Sequence, residues 1–185
     1  MPDRRRQLLE AAYDCIGRYG MAKTTVEDVA RAAGVSRATI YRHFPGGRDQ
    51  LVAEVVSWQA AVFFEQLATA VAGAPDLHAV LVETLLFARR AVLDHAVLQK
   101  VLETEPERLL PQLTFEGARI LGFVKGFLRP HLSPAGLRPG IGPDEAADLL
   151  GRLLLSYIGS PGSWDLADRD QVEALVQAEM LAAVT

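Results

Sequence analysis

The clearest hydrophobic pattern in the chain lies close to its N-terminus and predicts two short helices. In the first, small or branched apolar residues recur at i, i+3, i+4 and i+7, as on the buried side of a helix: Val26, Val29, Ala30 and Ala33. Gly34 breaks this pattern, and Ser36 provides an N-cap for a second helix over residues 37–44, which would bury Ile40 and Phe44. Two short helices joined by a glycine-containing turn predict a helix-turn-helix.

The outward positions of the second helix carry side chains suited to DNA. They combine cations, hydroxyl groups and a small side chain that permits close approach: Arg37, Ala38, Thr39, Tyr41, Arg42 and His43. Such groups can contact base edges and phosphates of double-stranded DNA. Thr24 or Thr25 would cap the first helix, and Thr25 and Ser36 complete this predicted DNA-binding set. The alternative is a helical hairpin whose arginines only face water.

The remaining hydrophobic patterns predict an all-α chain. Helices are expected over residues 4–19, 48–72, 76–94, 95–103, 112–129, 143–159 and 168–184, with a loop rich in proline and glycine at 130–142. The predicted fold is therefore an N-terminal three-helix head that contains the helix-turn-helix, joined by a long helix to an α-helical body. We place the head at residues 1–48 and the body at residues 49–185.

The charge distribution distinguishes the head from the body. The chain has 185 residues, of which 50% are hydrophobic, and a net charge of −4. Residues 1–50 hold nine Lys and Arg against six Asp and Glu, whereas residues 51–185 hold ten against seventeen. A weakly basic head on an acidic body fits a protein that contacts nucleic acid with its head only. The single cysteine, Cys15, lies in an apolar helical pattern, which predicts a buried thiol.

Other classes of function find little support in the sequence. It has no signal peptide, no lipidation motif and no apolar run of about 18 residues, so we expect a cytoplasmic protein without a membrane partner. His78, His95 and His131 are scattered without metal-ligand spacing, and no glycine-rich phosphate loop or nucleophile elbow is present. We therefore expect no enzyme, no catalytic residue, no metal and no cofactor.

Three segments match one known pattern in order: RRRQLLEAAYDCIGRYG, TTVEDVARAAGVSRATIYRHF and RDQLVAEV. In this arrangement the first quarter of the chain resembles the DNA-binding domain of the TetR family of bacterial transcriptional regulators. Family members usually carry Ser or Asn followed by Lys soon after the aromatic residue that ends the recognition helix. Here the chain reads Phe44-Pro45-Gly46-Gly47-Arg48, with one extra residue. The resemblance implies that Arg48 replaces the lysine that contacts a phosphate.

The resemblance also implies a function for the body. It implies a repressor that binds a near-palindromic operator as a homodimer and is released by a small-molecule effector. A pocket for a lipophilic effector is then expected among the aromatic residues of the body: Trp58, Phe63, Phe87, Phe115, Phe123 and Phe127. The same aromatic residues fit an ordinary core equally well. The alternative function is a DNA-binding dimer without an effector, whose body serves only dimerisation.

Two one-sided helices near the C-terminus predict the dimer interface. Residues 143–159 and 168–184 follow the predicted mobile loop, so they could pack on a second copy as a four-helix interface. The residues we expect there are Leu150, Leu154, Tyr157, Leu175 and Val176. These helices could instead pack on the body of their own subunit.

Overall fold

The computed structural model describes residues 4–105 and 117–185, and these residues form helices joined by turns, without any strand. In chain order the helices are α1 (Arg4–Tyr19), α2 (Val26–Ala32), α3 (Arg37–His43), α4 (Gly47–Val71), α5 (Leu77–Asp94), α6 (Ala96–Thr104), α7 (Gly117–Leu128), α8 (Pro143–Gly159), α9 (Arg169–Leu175) and α10 (Ala182–Val184). A π-helical segment, Val176–Leu181, joins α9 to α10. Two 3-10 turns, Arg129–His131 and Pro134–Gly136, lie within the predicted loop before α8. The predicted all-α fold class is confirmed.

The chain folds as two units, each with its own hydrophobic core. The first unit comprises the described residues of Met1–Val62 and His95–Phe115. The second comprises those of Phe63–Asp94 and Glu116–Thr185. Helix α4 therefore contributes its first part to one unit and its last part to the other. This structural division differs from the predicted head and body, whose separation at residue 48 concerns function and stays a prediction.

The core of the first unit joins the helix-turn-helix to α1, α4 and α6. Leu8, Ile40 and Phe44 are completely buried in it, and full burial of one such side chain contributes roughly 1.5–3 kcal/mol. Helix α6 packs against α1 and adds Val101 to this core, so the first unit extends beyond the predicted head. Cys15 is buried as predicted, and burial raises the pKa of its thiol.

The core of the second unit is formed by α5, α7, α8 and the C-terminal helical segments. Ala146, Leu150 and Leu154 follow one another at four-residue spacing on α8 and are all buried in this core. Outside this stripe on the same helix, Leu149 and Leu155 are 38% and 36% exposed. Helix α8 is therefore one-sided as predicted, and its buried stripe packs on its own subunit.

This packing corrects most of the predicted dimer interface. Leu150, Leu154, Leu175 and Val176 are 0%, 1%, 0% and 0% exposed within a single subunit. A side chain without exposed surface cannot contact a partner unless its own core first opens, so these four residues belong to the subunit core. Tyr157 is only partly buried, and its hydroxyl donates a hydrogen bond to Glu179.

Candidate nucleic-acid interface

Helix α2 begins with a reciprocal cap between Thr25 and Asp28. The Asp28 amide donates to the Thr25 hydroxyl at 3.2 Å, while the Thr25 amide and hydroxyl donate to the Asp28 carboxylate at 3.1 and 2.6 Å. This is a capping box, which satisfies amides that the first helical turn leaves without partners. The hydrogen bonds from Thr25 lower the pKa of Asp28. Thr25, predicted to bind DNA, therefore has a structural role at the start of α2.

The turn between α2 and α3 needs a backbone that only glycine adopts without strain. Gly34 has a φ of 65°, in the left-handed region, and it directly follows the last turn of α2. Two residues later Ser36 caps α3, because its hydroxyl accepts from the Thr39 amide at 3.2 Å. The glycine and the serine thus fix where α3 begins and in which direction it leaves the turn.

Helix α3 has one buried and one exposed face, as the sequence predicted. Ile40 and Phe44 are completely buried, whereas Tyr41 is 50% exposed. The other exposed or partly exposed side chains of α3 complete the predicted contact set: Arg37, Ala38, Thr39, Arg42 and His43. A seven-residue helix with cations and hydroxyl groups on its outer face has the size and chemistry to enter a major groove.

The two arginines of α3 differ in their surroundings. Arg37 forms an ion pair with Glu27 of α2, although both side chains remain largely exposed. Such a surface pair is worth little, so a phosphate can replace the carboxylate at small cost. Arg42 is exposed, and no ion pair joins it to another described residue. Arg42 is therefore the cation of α3 that is most available to DNA.

Arg48 forms contacts within the first unit that the sequence did not predict. Its Nε donates to the carbonyl oxygen of Thr24 at 2.9 Å, and a terminal nitrogen donates to the carbonyl oxygen of Met21. Its other terminal nitrogen pairs with Asp49 at 2.8 Å. The guanidinium group therefore holds the backbone between α1 and α2, and its predicted contact with a DNA phosphate stays a prediction.

Lys100 of α6 and Glu105, which directly follows α6, hold the end of α1 and the backbone after it, and sequence reasoning missed both residues. The Lys100 ammonium donates to the carbonyl oxygens of Gly17 and Arg18, at 2.8 and 3.1 Å. The Glu105 carboxylate accepts from the Ala22 amide at 2.7 Å. A cation at the C-terminal end of α1 also interacts favourably with the dipole of that helix. More than eighty residues separate these partners, and no local pattern in the sequence signals such a contact.

The predicted effector residues lie in different places. Trp58 belongs to the first unit, where its ring meets Tyr13 edge to face at 6.2 Å. Phe115 lies outside the described residues. In the second unit Phe63 contacts Phe87, and Phe64, which the prediction omitted, contacts Phe63, Phe123 and Phe127 at centroid distances of 5.3–6.3 Å. Phe64 is thus the centre of an aromatic cluster with the four predicted phenylalanines of that unit.

A cleft of about 350 Å³ lies at one end of this cluster. The His131 ring, 5.6 Å from that of Phe127, lines the cleft. The other lining residues combine leucines with polar groups: Asp76, Leu77, His78, Leu132, Ser133, Gly136, Leu137, Leu181 and Thr185. This volume is at the lower end of the range for small-molecule sites, and none of the predicted pocket residues lines it.

Residues 4–105 and 117–185 contain neither a candidate membrane span nor a candidate metal site. None of the helices there is both long and apolar enough to span a membrane. The same residues contain no group of three or more His, Cys, Asp or Glu side chains that could hold a metal ion.

The geometry of the first unit defines a helix-turn-helix domain followed by a long helix, and known proteins share this arrangement. Residues 8–55 match the family model described as bacterial regulatory proteins, tetR family. The HTH-type transcriptional regulator Mb2274c of Mycobacterium bovis is 41% identical over 59 residues, which are 32% of this chain and 31% of that protein. The match thus spans about a third of the length of that curated relative.

Solved structures extend the likeness to the whole fold. The TetR family repressor AlkX from Dietzia, implicated in biodegradation of n-alkanes, superposes with a TM-score of 0.70 at 21% identity, covering 99% of this chain and 97% of that one. The SmeT–triclosan complex superposes with a TM-score of 0.57 at 22% identity, covering 95% and 90%. The match over residues 8–55 thus shows a helix-turn-helix domain of the tetR family type near the start of the chain, and the superpositions show that the overall fold resembles that of these regulators.

Proposed function

We propose that the protein is a transcriptional regulator that binds double-stranded DNA through α3. The observation that carries this proposal is the two-sided character of α3, with Ile40 and Phe44 completely buried and Tyr41 and Arg42 exposed. A helix held in this way can place its outer side chains against base edges while the unit behind it stays folded. The relatives are named as transcriptional regulators and not as enzymes, and this supports the same conclusion.

We further infer that the regulator acts as a homodimer and represses transcription. One helix-turn-helix covers little DNA, and two heads that read one face of a duplex must lie about 34–36 Å apart or at a multiple of that distance. A two-fold dimer meets this condition and matches a near-palindromic operator. The exposed Leu149 and Leu155 of α8 replace the buried leucines as the proposed interface residues, because apolar side chains at this exposure gain from being covered.

The release of the operator by a small-molecule effector is the third part of the proposal. The AlkX and SmeT names connect two structural neighbours with alkane degradation and with triclosan, both of which concern apolar compounds. In this chain the aromatic cluster around Phe64 and the adjoining cleft at His131 supply apolar surface with a few polar groups, the usual composition of such a site. The alternative of a dimer without an effector has no observation of its own in its favour.

Selection of genomic DNA fragments by the purified protein tests the central proposal. We expect enrichment of fragments that share one near-palindromic sequence, and binding whose affinity falls steeply with salt. Fragments enriched without any common sequence would contradict sequence-specific regulation. Titration of the protein–operator complex with apolar compounds of different size then tests the effector, since an effector must weaken operator binding and not merely stabilise the protein.

A further inference from the structure

Arg5 lies in a run of three arginines at the start of α1, and its surroundings differ from those of its neighbours. One terminal nitrogen of Arg5 donates to the carbonyl oxygen of His43 at 2.7 Å, and the other pairs with the carboxylate of Glu54. The guanidinium carbon also lies 4.6 Å from the centre of the Phe44 ring. A single side chain of α1 therefore contacts the C-terminal end of α3 and a side chain of α4.

These contacts continue to the turn that joins α3 to α4. The Glu54 carboxylate accepts from the Gln50 side-chain amide at 2.8 Å. The carbonyl oxygen of that amide accepts from the backbone amide of Gly46, also at 2.8 Å. The chain of hydrogen bonds thus leads from the last carbonyl of α3 through Arg5, Glu54 and Gln50 back to the turn that follows the same helix.

The last turn of α3 is short and ends in carbonyl groups that need partners outside the helix. The helix has seven residues, and Gly47, four residues after its last residue His43, has a φ of 65°, a backbone conformation that favours glycine. Carbonyl groups in the last turn of a helix lack partners within the helix, and a guanidinium group is a strong donor for them. Its planar, forked geometry also lets one side chain hold two acceptors in a fixed relation.

We propose that Arg5 is a positioning residue for DNA recognition, which fixes the C-terminal end of α3 without contacting DNA. The inference rests on the proposed function, since it assumes that α3 reads the operator. It assigns to Arg5 a role that a run of exposed arginines does not suggest. A residue that neutralises a phosphate releases a counterion, whereas a residue that orients a helix acts through Tyr41 and Arg42 and releases none.

The salt dependence of operator binding separates these two roles. We expect Arg5→Met, which keeps an apolar stem over Phe44, to weaken operator binding by about tenfold, the factor that corresponds to about 1.4 kcal/mol. The slope of log affinity against log salt should stay that of the natural protein. Arg4→Met, an equal change of charge at an exposed neighbour, should weaken binding less than Arg5→Met. A slope reduced by about one unit in Arg5→Met would make Arg5 a phosphate contact and overturn the proposal.

Two further variants keep the test decisive if Arg5→Met folds poorly. Arg5→Lys retains the charge but lacks the fork that reaches both acceptors, so it should bind more weakly than the natural protein, and full affinity would contradict a positioning role. Glu54→Met removes a negative charge, which by electrostatics alone would strengthen binding to DNA. Because Glu54 holds Arg5, we expect weaker binding, and stronger binding would count against the proposal.

Hydrogen exchange without DNA distinguishes a failure of this inference from a failure of the proposed function. The Phe44 amide donates to the Ile40 carbonyl at 2.8 Å, and the Gly47 amide donates to the Phe44 carbonyl at 2.8 Å. In Arg5→Met these two amides should exchange faster, whereas amides in the second unit should exchange at unchanged rates. If the natural protein binds no DNA, the proposed function fails while faster exchange still shows that Arg5 orders α3. Unchanged exchange at both amides would overturn the inference.

Discussion

Arg48 donates through Nε to the carbonyl oxygen of Thr24 at 2.9 Å, and this contact changes what the residue is expected to do. A guanidinium group that holds the backbone between α1 and α2 stabilises the first unit. We therefore predict that Arg48→Met lowers the free energy of unfolding by roughly 1–3 kcal/mol, the range for hydrogen bonds from charged groups. The salt dependence of operator binding should remain that of the natural protein. Denaturant unfolding and operator titration at several salt concentrations measure the two effects.

A stable Arg48→Met variant whose salt dependence falls by about one unit would restore the phosphate contact that the sequence suggested. Arg90→Met serves as the control, because Arg90 is an exposed cation on α5 in the second unit. This control shows whether a change in the salt dependence of operator binding comes from the loss of Arg48 itself or only from the lower net charge.

The second prediction concerns the outer face of α3. Arg42→Ala should weaken operator binding by at least tenfold at moderate salt and leave unfolding unchanged, because the side chain is exposed and contributes nothing to the core. Phe44→Ala should instead lower the free energy of unfolding by roughly 3–5 kcal/mol, since the ring is completely buried. Fluorescence anisotropy with labelled operator and denaturant unfolding measure both. Normal operator binding by Arg42→Ala would show that α3 meets DNA with another surface.

The local features of the first unit could be predicted from the sequence, whereas its distant contacts could not. The spacing of Ile40 and Phe44 and the glycine at position 34 define two short helices and their turn, and both apolar residues are buried in the structure. Such features depend on residues within one or two helical turns. The contacts of Arg5 with His43 and of Lys100 with Gly17 join residues that lie 38 and 83 positions apart. The hydrophobic periodicity of the sequence does not predict such contacts.

The same limit explains the correction at the C-terminal helices. The spacing of Leu150 and Leu154 identifies a buried stripe but does not say whether the covering surface belongs to the same subunit or to a partner. In the structure the surface is supplied by the subunit itself. The aromatic residues show the same limit, because Phe63 and Phe127 belong to one cluster only through Phe64, which the prediction omitted.

The third prediction is a pH dependence at the start of α2. The pKa of Asp28 lies below its ordinary value of 3.8 because Thr25 donates to its carboxylate. A lowered pKa means that the folded protein binds this proton less readily than the unfolded chain does. The stabilising contribution is therefore present above pH 3.8 and is lost as the pH falls through the pKa of the folded state. Asp28→Asn should make the first unit less sensitive to acid over this range.

Acid titration of unfolding, followed by circular dichroism, measures this pH dependence. Asp14→Asn provides the control, because Asp14 is an exposed carboxylate on α1 of the same unit. An acid dependence that is the same in Asp28→Asn and in the natural protein would mean that the capping box contributes no measurable stability through its charge.

The last prediction concerns the dimer, and it compares changes at buried residues of the second unit with changes at exposed residues of α8. Arginine at Leu154 and Val176 would place charges in the core of the second unit, where each side chain is at most 1% exposed, so this double variant should unfold. Arginine at Leu149 and Leu155 changes only exposed positions of α8, so the subunit should stay folded while two like charges on each copy oppose association. Light scattering should then give the mass of one subunit, and operator binding should weaken by more than tenfold because one head alone contacts one half-site.

Leu102→Arg, which alters an exposed leucine of α6 in the first unit, is the matched control and should remain dimeric. If the variant at Leu149 and Leu155 keeps the mass of a dimer and binds operator tightly, the interface lies on another surface of the protein. If the natural protein already has the mass of one subunit when it binds operator, dimeric recognition itself is wrong.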